Sequence, residues 1–421
     1  MRAWFDGTGL VLFGVAAVAR IAYLLIFQPT LESYYLGLAD SLLTTGVLGF
    51  GGRPSASFEP AYPLFLAAAR LVFGERTLLI QLLQASVAAA GAVLVYDLAL
   101  QLSASRRTAT AAAALFALHP LLIRQASAAS DLPLTTLLLA GFALAFVRIR
   151  DARSAAGAGL LIGMAVLARS MVLPVVVLAA AILLVRRRRL HAAALTLVAL
   201  AAIAPMMART YALSGSLAPT RSGVNLYVGN SPHSAALLPT YDLDLLEPEA
   251  YERFVRAHPG VAEHGPAFDA AFDDFLTAVS VEHMAGHPAR TIGQKLMNAA
   301  YLVSPRLVPL RISGRDTRVH IDDNGAARVV DSVARSPVEV WSHAIAASLL
   351  LAGTVAGVTL RRAQLGRDAV LWAIAVTFVG VNAIYVPATR YTAPMLFVMM
   401  FYTAAAFDEL RRRSEARHLA A

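Results

Sequence analysis

Long apolar runs, separated by short clusters of arginine, set the pattern of this chain. A helix that crosses a bilayer needs roughly 20 mainly apolar residues, fewer where neighbouring protein covers part of it. By that measure the sequence predicts about ten spans, near 9–27, 78–99, 108–123, 131–148, 154–169, 171–185, 191–209, 340–360, 368–386 and 391–408. The pair at 154–169 and 171–185 is short and is split by Arg169 and Pro174. The clusters between runs test the topology independently. With the N-terminus in the cytoplasm, the cytoplasmic segments are 100–107, 149–153, 186–190, 361–367 and the tail from 409. These hold or adjoin Arg106 and Arg107, Arg148, Arg150 and Arg153, Arg186 to Arg189, Arg361, Arg362 and Arg367, and Arg411 to Arg413. Each is basic, as the positive-inside rule requires.

Two outer segments are long. The first, 28–77, carries an amphipathic stretch from Leu31 to Leu43, a glycine-rich turn over Gly46–Gly52, and an apolar piece from Pro60 to Phe73 that suits a helix lying along the membrane or dipping into it. The second, about 210–338, is polar, with helical patterns near 247–257 and 267–301. The predicted fold is an all-α polytopic membrane protein: about ten transmembrane helices, juxtamembrane helices in the first outer loop, and a small extracytoplasmic cap. The expected organisation is an N-terminal transmembrane module over 1–212 that includes outer loop 28–77, the loop or cap over 213–338, and C-terminal helices with a basic cytoplasmic tail over 339–421.

Composition excludes the soluble alternative. Of 421 residues, 58% are hydrophobic and 15% charged, against about 45–50% and about 25% in soluble domains, and the mean hydropathy is +0.61. The net charge of +9 sits in arginine clusters beside apolar runs, so it reads as membrane orientation rather than nucleic-acid binding. Lys295 is the only lysine, and there is no cysteine, which excludes disulfides and thiolate chemistry. The first apolar run, behind Met1 and Arg2, lacks a small-residue cleavage site and reads as a retained anchor. The Ala- and Arg-rich, Lys-poor usage is associated with GC-rich bacterial genomes, which places the expected protein in a bacterial cytoplasmic (inner) membrane with both termini in the cytoplasm.

Ionisable side chains near membrane depth are costly, which makes them functional candidates. Glu32, Asp40 and Glu59 lie in the first outer loop, and His119, Arg124 and Asp131 around the next short outer turn. Arg169, Arg209 and Arg390-Tyr391 follow at later outer helix ends. All fall on one predicted face. A carboxylate there can take the proton of an acceptor hydroxyl, and arginines can hold a phosphate and stabilise it as a leaving group. Together they suit group transfer from a lipid phosphate; singly, each also fits a charge that merely flanks a span. Tyr34, Tyr35, Tyr62 and Tyr391 fit the interfacial aromatic belt equally well. There is no Walker loop, zincin helix or nucleophile elbow. His283 and His287, four apart, could share a helix face, but no third metal ligand is evident. A divalent metal requirement is left open, and no organic cofactor is implied.

Local patterns in order along nearly the whole chain resemble the C-type glycosyltransferases, in the branch of protein O-mannosyltransferases and lipid A aminoarabinose transferases. They are Arg20 in the first span, Leu31-Glu32-Ser33-Tyr34-Tyr35-Leu36-Gly37-Leu38-Ala39, Glu59-Pro60-Ala61-Tyr62-Pro63, and His119-Pro120 with Ser130-Asp131. Leu167-Ala168-Arg169, then Pro205 through Arg209-Thr210-Tyr211 to Gly223–Asn230, Lys295, and Arg390-Tyr391 with Pro394 continue the series. The run over 205–230 is the most specific.

The resemblance implies a membrane glycosyltransferase. Its donor is a polyprenyl-phosphate-linked sugar, and its acceptor is a protein, lipid or glycan hydroxyl on the extracytoplasmic face. Transfer proceeds with inversion, and the transferred unit is a hexose or pentose. It implies Glu32 as catalytic base and Asp131 as a second catalytic acid, with Arg209, Lys295, Arg390 and Tyr391 toward the lipid phosphate, and Arg53 and Tyr62 toward the sugar. The family's base is an Asp, and in the natural register its position is Leu31. Either Glu32 takes the role with a longer arm, or the register slips by one, or activity is lost. A transporter of lipid-linked precursors is the alternative from another class; against it, the sequence has no inverted repeat and no paired broken helices.

Overall fold

The computed structural model describes residues 7–29, 31, 34–261, 265–314, 317–321 and 327–420. Glu32 lies outside the described residues. Helices form at all of the predicted span positions. They are α1 (Thr8–Phe27), α2 (Tyr34–Thr45), α3 (Ala61–Phe73), α4 (Thr77–Ser103), α5 (Arg106–Leu118), α6 (Pro120–Gln125), α7 (Leu132–Val147), α8 (Ala152–Ala168), α9 (Leu173–Val185) and α10 (Arg189–Ser214). The chain continues through α11 (Ser222–Asn230), α12 (Glu247–Ala257), α13 (Pro266–Gly286), α14 (Pro288–Val303), α15 (Pro337–Leu360), α16 (Ala369–Ile384) and α17 (Leu396–Ala420). Among the described residues, five segments are long and apolar enough to cross a membrane alone: α1, α4, α10, α15 and the stretch Thr389–His418. The apolar helices α3, α7, α8 and α9, with the 3-10 turn before α9, and α16 are shorter. The protein is a multi-pass membrane protein.

The all-α expectation needs one correction. The glycine-rich turn of the first loop closes a hairpin, β1 (Gly49–Phe50) against β2 (Arg53–Pro54). Ahead of α15, β3 (Arg311–Ile312) pairs with β6 (Val333–Ala334), and β4 (Arg318–Ile321) with β5 (Ala327–Val330), all antiparallel. Gly51 and Gly52 both take positive φ, 56° and 76°, which a tight hairpin needs and other residues adopt at a cost. The predicted span 108–123 is also not one helix. α5 stops at Leu118 and α6 begins at Pro120, because the residue before a proline is driven out of the helical region; His119 is extended at φ −67°, ψ 123°.

Helix starts follow local chemistry. Asp151 and Ser154 form a reciprocal capping box on α8, with Ser154 N donating to Asp151 Oδ1 at 2.8 Å. Ser336 caps α15 by accepting from Glu339 N at 3.2 Å. Small residues let helices approach. Gly159 and Gly163 on α8 lie against the α10 backbone at Leu195 and Ala199, where a Cβ has no room. The main core joins Tyr96, Phe116, Phe142, Ile162, Leu195 and Phe397 from the bundle. A second core, over Val224, Tyr227, Leu243, Leu246 and Leu276, gathers the helices after α10 and seats them on Val386 and Ala388. On α15, Val338, Trp341, Ile345 and Leu349 stand exposed at helical spacing, a surface that suits lipid rather than water.

The basic segments do meet at one end of the bundle. Arg188 donates to Ile149 O and Arg150 O, Arg186 to Gly366 O, and Arg367 to Gln101 O. Ser105 and Thr108 donate to Asp408 of the tail helix.

Candidate functional site

The opposite end is built on two glutamines of α4. Gln81 and Gln84 are three apart and so share a face. Gln81 Nε2 donates to Pro29 O (2.8 Å) and Ser127 O (3.0 Å), and Gln84 Nε2 to Ala126 O (2.9 Å) and Ala128 O (2.6 Å). This pins the loop that leads into Asp131. The other end of the Gln84 amide accepts from Tyr62 Oη at 2.6 Å. Tyr62, 1% exposed, is thereby fixed from α3, and its ring meets Tyr35 edge-on at 4.8 Å. Leu31, at the register position of the family's Asp, is buried in the apolar cluster with Ala39, Tyr62 and Leu66.

Asp131 is 4% exposed. Arg169 Nη1 donates to both of its carboxylate oxygens, at 3.2 and 2.9 Å, and Tyr35 Oη donates to Oδ1 at 3.4 Å. The Arg169 guanidinium lies 4.6 Å from the Tyr391 ring centroid. Glu59 ties the first loop to the same corner: its Oε1 accepts from Ser170 N (2.9 Å) and Ser170 Oγ (2.6 Å). Arg390, beside Tyr391, donates to Asp242 Oδ2 at 3.2 Å, Asp244 Oδ2 at 2.7 Å and Tyr391 Oη at 3.1 Å. Arg221 completes the ring of charges. It pairs with Glu247 at 2.7 Å and lies over the Tyr34 and Phe58 rings at 5.9 and 5.8 Å.

Six of the sequence candidates, Tyr62, Asp131, Arg390, Tyr391, Arg169 and Glu59, therefore belong to one connected cluster. Arg209, Arg53 and Lys295 stand apart. Arg209 Nη2 donates to Leu48 O at 2.7 Å, bracing the hairpin on which Arg53 sits exposed. Lys295 Nζ donates to Ile384 O at 2.9 Å and Gly229 O at 3.4 Å, at the end of α16. Burial there pulls its ammonium down to about 8. Asp40 is paired with Arg70, and Arg124 with Glu339. His119, buried at the α5–α6 break, has no partner for either ring nitrogen among the described residues.

The acids Asp242, Asp244 and Glu247 and the arginine Arg221 did not stand out in the sequence. The one signal that could have found the acids is their spacing just ahead of the helical pattern near 247–257. Burial pushes the Asp242 carboxyl up against the opposing pull of Arg390, and burial pushes Glu247 up against Arg221. Each cluster arginine is thus already matched to a carboxylate, inside a wall of tyrosines. Such a site can exchange a carboxylate for a phosphate on an arginine, and can hold a sugar on aromatic faces.

No protein-family model and no curated protein matches the sequence. Solved structures match over nearly the full chain. The Archaeoglobus fulgidus oligosaccharyltransferase tethered to an acceptor peptide superposes with a TM-score of 0.53 at 14% identity, covering 98% of this chain and 51% of that one. The Archaeoglobus fulgidus oligosaccharyltransferase AglB in complex with an inhibitory peptide and a dolichol-phosphate gives 0.50 at 17% identity, covering 99% and 52%. ArnT from Cupriavidus metallidurans in the apo state gives 0.39 at 14%, covering 96% and 77%. The chain spans about half the length of the oligosaccharyltransferase chains. The likeness is one of fold, and it agrees with the C-type glycosyltransferase fold that the sequence resemblance implies.

Proposed function

We propose that the protein is a membrane glycosyltransferase that moves a hexose or pentose from a polyprenyl-phosphate donor to a hydroxyl on a protein, lipid or glycan at the extracytoplasmic face. The observation that carries this reading is the cluster itself: Tyr62, Tyr35, Asp131, Arg169, Tyr391 and Arg390 joined through hydrogen bonds and ring contacts at one end of a membrane bundle. The oligosaccharyltransferase of like fold is found with a dolichol-phosphate, which supports a lipid-phosphate donor here.

The chemistry is a displacement at the anomeric carbon. A carboxylate base, Glu32, takes the acceptor's hydroxyl proton, and that oxygen bonds to the anomeric carbon from the face opposite the phosphate. The carbon–phosphate oxygen bond breaks, and polyprenyl phosphate leaves with the electron pair, so configuration inverts. Asp131, held on Arg169, is the second catalytic acid and shapes the pocket. In this reading Arg390 and Tyr391 bind the phosphate and Tyr62 backs the sugar site, with Arg209 and Lys295 assigned toward the lipid phosphate and Arg53 toward the sugar by the sequence resemblance.

Residues 1–212 with outer loop 28–77 form the catalytic module in this reading. Residues 213–338 form an extracytoplasmic cap, and 339–421 the last helices and a basic tail, about ten spans in all. Arginine clusters gathered at the other end support a cytoplasmic position for both termini in this reading, and the membrane proposed is the bacterial inner membrane. Lipid-phosphate release assayed in the wild type and in Glu32→Gln tests the reading; a variant with full activity overturns Glu32 as base.

A further inference from the structure

Helix α14 is amphipathic the wrong way round for a helix in water. Its exposed arc consists of two neighbouring rows at four-residue spacing, Ala289, Gly293 and Met297 beside Ile292, Leu296 and Ala300. Ile292, Leu296 and Met297 are 63%, 68% and 50% exposed. Every residue of the arc is apolar or glycine, and the charge nearest to it, Arg290, stands at its edge in the first turn.

Thr291, Gln294, Lys295 and Asn298 turn toward the protein instead, and each spends its donors there. Thr291 Oγ1 donates to Met284 O at 3.3 Å, Gln294 Nε2 to Asn298 Oδ1 at 2.8 Å, and Asn298 Nδ2 to Ala383 O at 3.0 Å. Lys295 is seated on Ile384 O and Gly229 O, and Asn298 is fully buried. A surface helix in water shows the reverse, with its apolar stripe inward and its polar face out. A single exposed leucine carries no information; a continuous apolar face opposite a polar, hydrogen-bonded one does.

The place of α14 indicates what covers this face. Lys295 and Asn298 fix the helix to the last turn of α16, where the exposed residues Val376, Gly380 and Ile384 recur at the same four-residue spacing. Such an apolar stripe along a bundle helix suits lipid. Lys295, next to Leu296 in the chain, bonds the carbonyl of Ile384 at the end of that stripe, so the two apolar faces are continuous. With 16 residues, α14 runs about 24 Å, short of the roughly 30 Å hydrocarbon core, so it can enter one leaflet and not cross.

We propose that α14 is immersed in the bilayer leaflet at the cluster end of the bundle, with Ile292, Leu296 and Met297 against phospholipid acyl chains and Arg290 reaching the headgroups. The polar segment ahead of α15 is then held to the membrane by a helix of its own, and not only by the spans on either side of it. The inference does not depend on the proposed sugar transfer.

The chain has no cysteine, so single cysteines can be introduced into the full-length protein and spin-labelled. The variants are Ile292→Cys, Leu296→Cys and Met297→Cys, with Val376→Cys as the lipid-facing reference and Glu252→Cys on α12 as the water-facing one. All five side chains are exposed, so the substitutions disturb no packing. Each variant is reconstituted in phosphatidylcholine vesicles that hold no polyprenyl lipid, and collision of the label with oxygen and with nickel–EDDA is measured by power-saturation EPR. Labels at 292, 296 and 297 are expected to meet oxygen several-fold more often than nickel–EDDA, as at Val376, and Glu252 should show the reverse. Because no polyprenyl chain is present, that result reports phospholipid and not a donor lipid. An excess of nickel–EDDA at the three positions puts the face in water and overturns the proposal. Low collision with both reagents means that a protein surface, such as a second copy of the chain, covers the face, and overturns it equally.

Discussion

Arg169 meets Asp131 through a single nitrogen, Nη1, which donates to both carboxylate oxygens at 2.9 and 3.2 Å. The guanidinium's Nε turns instead to Met171 Sδ at 2.9 Å, and its plane faces the Tyr391 ring. One ion pair therefore connects the start of α7, the α8–α9 junction and the segment ahead of α17. The aspartate is nearly buried, and its side chain is 6% exposed against 19% for the arginine.

Removing one member of such a pair leaves a buried charge without its counterion. Arg169→Met is expected to cost about 3 kcal/mol of stability, the low end of the range for broken buried pairs because the arginine is partly exposed. Asp131→Asn/Arg169→Met should recover part of that loss and none of the transfer activity. Thermal unfolding in detergent and a transfer assay on the same preparations check this. Additive losses of stability would mean the two charges are not coupled.

Lys295 offers a local reading of burial. As the sole lysine, it gives one side-chain resonance after reductive ¹³C-methylation, alongside that of the N-terminal amine. The resonance should titrate near pH 8 rather than near the ordinary lysine value of 10.5. Because the folded value is depressed, the unfolded chain binds more protons between those limits, so this group adds stability as pH rises from about 8 toward 10.5. A midpoint near 10.5 would show that the ammonium is solvated rather than seated on Ile384 O.

Asp242 and Glu247 are pushed up by burial and occupy Arg390 and Arg221. Mild acid protonates them sooner than ordinary carboxylates and frees the arginines for an anionic lipid. Donor affinity should therefore rise as pH falls toward the acid side of neutral, and Asp242→Asn should flatten that dependence. Equilibrium binding of polyprenyl phosphate across pH reads it directly; an unchanged profile in the variant would remove Asp242 from the account.

Gly229 lies against the Tyr385 carbonyl with no room for a Cβ, whereas Gly293 on α14 faces open space. Gly229→Ala should cost about 1–3 kcal/mol through overpacking, and Gly293→Ala should be neutral or slightly stabilising, as in any exposed helix. Unfolding midpoints of the two variants compare them under one condition.

The sequence made the helices legible because lipid demands long apolar runs and arginine marks the loops between them. It also led to Asp131, Tyr62, Arg390 and Tyr391, since polar groups stand out against such a background. It did not show the break at His119-Pro120, where the apolar run continues across a backbone that cannot stay helical. The pairing of Arg390 with Asp242 and Asp244 was hidden for a different reason. These acids lie about 150 residues earlier in the chain, in a polar segment where a carboxylate is unremarkable by itself, and only tertiary packing brings them beneath the arginine. Gln81 and Gln84 were masked by the apolar helix that carries them. Arg209 and Lys295, chosen by pattern, are seated on backbone carbonyls away from the cluster.

The central claim is that this chain consumes a lipid-phosphate sugar rather than carrying it. Proteoliposomes supplied with a radiolabelled polyprenyl-phosphate sugar and a cell-envelope acceptor extract test this most directly, by measuring free polyprenyl phosphate released against donor moved intact between leaflets. The account predicts release coupled to labelling of the acceptor, abolished in Glu32→Gln and reduced at least about 100-fold in Asp131→Asn, the lower bound usual for a lost acid–base group. Intact donor crossing the bilayer without release would contradict it.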